Sequence, residues 1–395
     1  MMRRMLAGLA GAACLFASGS AFGADAQPPL KIGVVYSYTG TSPDNGIVLD
    51  AALNAYLLQH KGLIAGRKVQ LIHRDDTGVK PDVAKRLAQE LIVQENVDFL
   101  IGSTFTPNAV AMEGVSTEAK KPFCIVNAAG TNIVQKAPYT IRLGVTMPQI
   151  AVPLGRWAAK NGIKTVYTVV ADYTPGIDGA NAFAQAFTSS GGKMLGEVRV
   201  PVETTEFSAY IQRVKDAKPD AVFVFVGAGP SPVAFFKTFR DAGLERLGIR
   251  VLASGDALQE DALPAMGDEP NGVISSLNYS AVHDSKLNRA FVTAFHASDA
   301  NPAHLPNFTA VAGYDCLAAI DRAMSRVNGS TDPDKIMDAW KGLKFESPRG
   351  PIEIDAQTRD IVQNMYMRRT EKHGPIYVDA EFATIPAVKF DAAGL

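Results

Sequence analysis

Little in this chain announces chemistry. Its 395 residues include only three cysteines and six histidines (His60, His73, His283, His296, His304, His373), and neither set shows metal-ligand spacing. There is no G-x-S-x-G elbow, no phosphate-binding Walker loop and no G-x-G-x-x-G after the first strand. The signatures of the common nucleophilic and nucleotide-dependent enzymes are therefore missing, and no cofactor or metal is expected. An excess of one charge is missing too. With 39 Lys and Arg against 40 Asp and Glu, the formal net charge is −1 and the charges are scattered. That argues against a nucleic-acid partner or a membrane-surface patch. Beyond the N-terminus no stretch approaches the roughly 18 apolar residues that a membrane helix requires.

The first residues do carry a signal. Met1-Met-Arg-Arg-Met5 is basic, Leu6 to Phe16 is apolar, and small residues follow at Ala21 and Gly23. This is the layout of a secretory leader, too short to span a membrane, with cleavage expected after Gly23. A lipoprotein at Cys14 is disfavoured by Gly11 three residues before it and by the apolar chain after it. The mature protein is thus expected outside the cytoplasm, in the periplasm. It keeps Cys124, in an expected central strand, and Cys316, in an expected helix; the expectation is two separate buried thiols, although export permits a disulfide.

What is abundant is a strand–turn–helix unit, and it recurs. Phe99 to Ala111 reads as a buried strand, a polar turn, and a helix opening at Thr106-Pro107, with Thr as N-cap and Pro in the first helical position. Val222 to Ala234 repeats that grammar, with Ser231-Pro232 standing 125 residues after Thr106-Pro107. Gly102 matches Gly227, Lys68 matches Lys193, Gly130 matches Gly255 and Thr131 matches Asp256, all at that spacing. A period this long indicates two similar domains rather than a solenoid, and the length accommodates both.

Strands at Leu30–Val35, Val69–Ile72, Phe123–Val126 and Tyr139–Leu143 alternate with helices in the first unit. Strands at Ile163–Val170, Glu197–Val200, Ala221–Val226, Arg250–Ala253 and Val273–Ser276 do so in the second. This alternation predicts α/β lobes with doubly wound parallel sheets. The first helix, capped by Asp44 or Asn45, places Ile47, Ala51, Ala55 and Leu58 at helical spacing. After Ser280 come three helices, and from Gly350 an irregular tail in which 350–354 and 364–368 form an antiparallel edge. Ligands in such sheets sit beyond the carboxyl ends of the strands, where the repeated turns lie.

Those turns carry hydroxyls: Ser103, Thr104, Thr106 and Thr131 in the first unit, opposed by a single acid, Asp256, in the second. Taken one at a time they are ordinary cap and turn chemistry. Together, aimed at one crevice, they point to a binding site for a small acid or zwitterion, with Tyr38, Phe105 and Tyr173 as apolar walls. The run His73-Arg74-Asp75-Asp76 reads as a solvated strand end or surface ion pair rather than an acid–base pair. An α/β enzyme using Asp256 or Asp75-Asp76 as base is the competing class; the leader and the repeat favour a binding module. A sensor is disfavoured by the lack of a helix-turn-helix.

Lys31-Ile-Gly-Val-Val, Gly66-Arg-Lys-Val, Asp75-Asp76, Ala128-Ala-Gly-Thr-Asn132, Asp178 through Phe187, Pro219-Asp-Ala-Val and Ala312-Gly-Tyr-Asp315 stand in the order of a known family. Over essentially the whole mature chain the sequence resembles the leucine/isoleucine/valine-binding proteins, periplasmic receptors of ABC importers. The resemblance implies a type I periplasmic binding protein fold, two Rossmann-like lobes joined by three crossing segments. The first lobe would be 28–146 plus 281–345, and the second 147–280 plus 346–395. It implies a monomer that closes on a branched-chain or other hydrophobic amino acid and delivers it to a membrane permease. Thr106 would hold the ligand carboxylate, and Ala129 and Thr131 would supply a carbonyl and a hydroxyl. Asp256 would take the ammonium in place of the family's glutamate; Phe105, Tyr38, Asn45 and Tyr173 are placed with them. Pro175 stands where a tyrosine is common, and a tyrosine near Gly229 is absent. Those departures make an aromatic acid, amide or urea the alternative ligand.

Overall fold

The computed structural model describes residues 27–40, 43–227, 229–260, 262–299, 301 and 304–390. The leader and its expected cleavage point lie outside them. In the first half, β1 (Leu30–Tyr36), α1 (Pro43–Gln59), β2 (Leu63–Ile64), β3 (Arg67–Asp75), α2 (Pro81–Val93), β4 (Phe99–Gly102), α3 (Thr106–Ala119), β5 (Phe123–Ile125) and β6 (Thr140–Arg142) follow in order. The second half brings α4 (Met147–Lys160), β7 (Thr165–Ala171), α5 (Thr174–Ser189), β8 (Lys193–Val200), α6 (Ser208–Ala217), β9 (Ala221–Phe225), α7 (Pro230–Asp241), β10 (Arg250–Ser254), α8 (Leu263–Met266) and β11 (Ile274–Leu277). Three helices, α9 (Lys286–Ser298), α10 (Phe308–Arg326) and α11 (Pro333–Trp340), precede β12 (Lys344–Ser347), β13 (Gly350–Ile354), β14 (Ile361–His373) and β15 (Ile376–Val388).

The repeat is visible in the sheets. One sheet has the order β2-β3-β1-β4-β5-β6 and the other contains β8-β7-β9-β10-β11, so each lobe winds its five parallel strands alike. The hairpin formed by β2 and β3 has no counterpart in the second half, which is why the regular spacing does not extend back to the first strand. α1, α10 and α11 cover one face of the first sheet, and α2 and α3 the other. In the second lobe α4 and α5 pack on one face and α6, α7 and α8 on the opposite one. Two-sided coverage explains why strands such as Ala221–Phe225 are apolar throughout.

Several local expectations need correction. The buried positions of α1 include Val48, Leu49, Ala52 and Leu53, while Ile47 and Leu58 are exposed. This helix is packed on more than one side, so a single stripe misreads it. Asp44 and Asn45 lie inside α1 rather than capping it. The tail is no loose edge either. β14 pairs antiparallel with β11 on one side and with β13 and β15 besides, extending the second sheet.

One side chain joins three segments that are distant in sequence: the turn after β6, the turn after β11, and β14. Gln363 donates from Nε2 to the Gly144 carbonyl at 3.0 Å and accepts from Asn278 Nδ2 at 2.9 Å.

Cys124 and Cys316 are bonded, against the expectation of free thiols. Strand and helix assignments did not reveal that α10 returns to pack against β5, which brings residues 192 apart in sequence to a Cα separation of 6.1 Å. The bridge closes a long loop, so reduction should lower stability by about 2–5 kcal/mol. Urea titrations with and without reductant test this; superimposable curves would show that the bridge contributes nothing.

Candidate functional site

The carboxyl ends of the parallel strands from both lobes face one crevice, and each site turn is held from behind. In the first lobe, Arg142 on β6 is fully buried and donates from Nη1 to the carbonyls of Ala128 and Gly130, at 2.8 and 2.7 Å. Its Nε pairs with Asp360 Oδ1 at 2.6 Å, just before β14 begins. In the second lobe, Arg368 on β14 is equally buried and donates to the carbonyls of Gly255 and Tyr279, at 2.9 and 2.7 Å, with Asp379 at 3.1 Å. Gly130 and Gly255, the matched pair of the repeat, are both tight. A Cβ on Gly130 would lie 2.7 Å from Thr106 Cγ2, and one on Gly255 2.6 Å from Arg368 Nη2. Neither position has room for a side chain.

Thr106 is the first residue of α3, with Phe105 at the cap position, so its hydroxyl does not cap the helix as expected. It accepts instead from the Gly130 N–H at 3.1 Å, joining the β4–α3 turn to the 128–131 turn. Thr131 is half-buried, and its N–H donates to Asp178 Oδ2 on α5 at 2.8 Å, across to the second lobe. The Ala129 carbonyl accepts from the Met147 N–H at 3.0 Å, which uses one of its lone pairs for the start of α4. Phe105 is buried in its turn. Tyr173 stacks on Phe225 with ring centroids 5.9 Å apart. Burial and the nearby Asp256 carboxylate together raise the Tyr173 phenol's pKa.

Asp256 sits on the short 3-10 turn after β10. Together with Asn45 and Gln259 it lines a cleft of about 740 Å³. One wall is Gly40, Pro43 and Asp44 of the first lobe, and the other includes Pro230, Pro232, Val233, Ala234 and Lys237 of the second. Part of Asp256 is open to the cleft, but its Oδ1 is buried and without a partner. Burial pushes its carboxyl up to about 6, and Ser254 and the Arg368 charge offset only part of that effect.

The residues singled out from sequence thus fall into groups. Asn45 and Asp256 share the cleft. Thr106, Phe105, Ala129 and Thr131 gather around the 128–131 turn and are not among the residues lining it, and Tyr173 stands near Asp256. Tyr38 faces elsewhere: its hydroxyl donates to Asp50 at 2.7 Å and lies 2.8 Å from His73 Nδ1. Sequence reasoning missed Gln259, whose only signal was its place three residues after Asp256. In the 73–76 run Arg74 forms the expected surface ion pairs, with Glu90 and Glu95 at 2.8 Å, but the two acids are not solvated. Asp76 is fully buried and takes Ser37 Oγ at 2.6 Å and Asn108 Nδ2 at 2.8 Å, while Asp75 accepts the N–H groups of Tyr38 and Thr77. The acids fasten the β1–α1 loop and α3 where these approach the crevice. Among the described residues no group of His, Cys, Asp and Glu could hold a metal ion.

A two-lobed α/β molecule with a cleft lined from both lobes has the form of a solute receptor, and comparison with known proteins agrees. The chain belongs to the periplasmic binding protein family, matched over residues 29–375. It is 38% identical over 343 residues to a Leu/Ile/Val-binding protein homologue of Brucella melitensis, covering 87% of this chain and 88% of that one. A solute-binding protein of an ABC transporter from Rhodopseudomonas palustris BisB5, solved with 3,4-dihydroxybenzoic acid, is 41% identical, with a TM-score of 0.87 over 91% of this chain and 98% of its own. A second R. palustris solute-binding protein, solved with 4-hydroxybenzoate, is 36% identical with a TM-score of 0.88 and the same coverage. The protein is accordingly a substrate-binding component of the ABC importer type, with the type I fold.

The braces make a direct prediction. Asp360→Asn leaves Arg142 buried without its counter-charge, which should lower stability by about 3–5 kcal/mol. Denaturant unfolding of the variant checks this; a loss below about 1 kcal/mol would mean that the turn does not depend on the pair.

Proposed function

We propose that this protein captures a hydroxylated aromatic carboxylic acid in the periplasm and hands it to a membrane permease. It would act as a monomer, after removal of residues 1–23, and without catalysis. The observation that carries the reading is Asp256. Its half-buried carboxyl group lines a cleft whose walls include Pro43, Pro230, Pro232, Val233 and Ala234. Flat apolar walls suit a ring, and an acid on the cleft wall suits a ring hydroxyl. The two R. palustris proteins solved with hydroxybenzoates support the same class. In this reading the ligand carboxylate is directed toward Thr106, Thr131 and the N-terminus of α3, where N–H groups and the helix dipole favour negative charge. Closure of the lobes over the ring accompanies binding.

A second reading, a branched-chain amino acid, is favoured by the name of the Brucella relatives and by the same acid, which would serve as counter-charge to an ammonium. The two differ in pH dependence. An ammonium needs ionised Asp256, so amino-acid affinity should fall about tenfold per unit once pH drops below about 6. A hydroxyl can bond to either form of the acid, so hydroxybenzoate affinity should change less than about threefold between pH 5 and pH 8. Calorimetric titration of leucine, phenylalanine, benzoate and 4-hydroxybenzoate across that range decides. Tight leucine binding with a steep acid limb, and none for hydroxybenzoate, would overturn the aromatic reading.

A further inference from the structure

Asn45 and Gln259 reach the cleft from opposite lobes, and their amide groups are oriented by a residue that does not line it. Asn307, fully buried ahead of α10, donates from Nδ2 to Asn45 Oδ1 and to Gln259 Oε1, both at 3.2 Å. Its own Oδ1 accepts from the N–H groups of Thr309 and Ala310, at 3.0 and 3.1 Å. Those two bonds fix which end of the Asn307 amide is oxygen, because backbone N–H groups can only donate. The orientation then propagates. Asn307 can present only N–H to its two neighbours, so each must turn its oxygen inward and its NH2 outward. Asn45 and Gln259 are 2% and 5% exposed, and both line the cleft. Neither NH2 has a partner among the described residues, and neither is among the sealed, unsatisfied atoms. Three residues from Gln259 stands Asp256, which lines the same cleft.

We infer that Asn307 is a positioning residue that sets the polarity of the cleft: it turns Asn45 and Gln259 into paired N–H donors beside the Asp256 acceptor. The trio reads a ligand group that both accepts and donates, such as a ring hydroxyl, which receives an amide N–H and gives its proton to Asp256. Because the donors come from different lobes and meet through Asn307, the reading head is complete only when the lobes are together. The substrate part of this inference rests on the aromatic-acid reading; the orientation of the amides does not.

Asn307→Asp tests it without removing the helix cap, since Asp caps as well as Asn. The substitution replaces the central NH2 by an oxygen, so both neighbours should rotate and present carbonyls to the cleft. In wild type, 4-hydroxybenzoate and 3,4-dihydroxybenzoate should bind better than benzoate. Asn307→Asp should erase that preference, by roughly tenfold. An undiminished preference in the variant would overturn the inference. The ligand-free measurement is solvent exchange of the 15N-labelled Asn45 and Gln259 side-chain NH2 groups. Exchange should be fast in wild type and protected in Asn307→Asp, where the new carboxylate accepts from both. Equal exchange in the two proteins would refute the orientation even if the hydroxybenzoates bind. If no aromatic acid binds but exchange shifts as expected, the substrate reading fails and the amide arrangement stands.

Discussion

Each lobe offers the crevice a short irregular turn, and irregular backbone beneath a ligand site needs something rigid behind it. Here that support is a buried guanidinium. Arg142 collects the carbonyls of Ala128 and Gly130, Arg368 those of Gly255 and Tyr279, and each is neutralised by a buried acid, Asp360 or Asp379. The planar fork of arginine makes this possible, because several N–H donors in one plane can satisfy backbone acceptors and a carboxylate together. Such pairs add little net stability over an apolar core. Their effect is geometric: they hold each turn against its sheet at a defined height.

Both braces converge on one strand. Asp360 immediately precedes β14 and Arg368 lies within it, while Gln363 between them bonds to Gly144 after β6 and to Asn278 after β11. β14 and the residue before it therefore carry supports of both halves of the site. A change in the angle between lobes and a change in the site are mechanically linked through β14, which is what a receptor closing on its solute requires.

Much of this was legible in the sequence, for identifiable reasons. Alternating apolar strands and helices, and the spacing that matches Gly130 to Gly255, revealed two like α/β lobes and the turns that face each other. Asp256 stood out as the only acid on those turns. What could not be read was contact between distant segments. The return of α10 to β5 made Cys124 and Cys316 a bridge. The hydroxyl of Thr106 looked like a cap because sequence shows its neighbours along the chain, not Gly130 across the turn. Tyr38 looked like a cleft wall until His73 and Asp50 were seen to hold its hydroxyl. Gln259 and Asn307 carry no motif, and their roles exist only through a network spanning both lobes.

In the proposed function the interlobe cleft seats an aromatic acid with a polar substituent against Asp256. A crystal structure of the protein grown with 3,4-dihydroxybenzoate tests it most directly. The ring should lie between the Pro43 and Pro230–Ala234 walls, with a ring hydroxyl within hydrogen-bond distance of the Asp256 carboxylate and the ligand carboxylate toward Thr106 and Thr131. A ligand bound elsewhere, or seated with its carboxylate against Lys237 and Asp256 left without a partner, would contradict it.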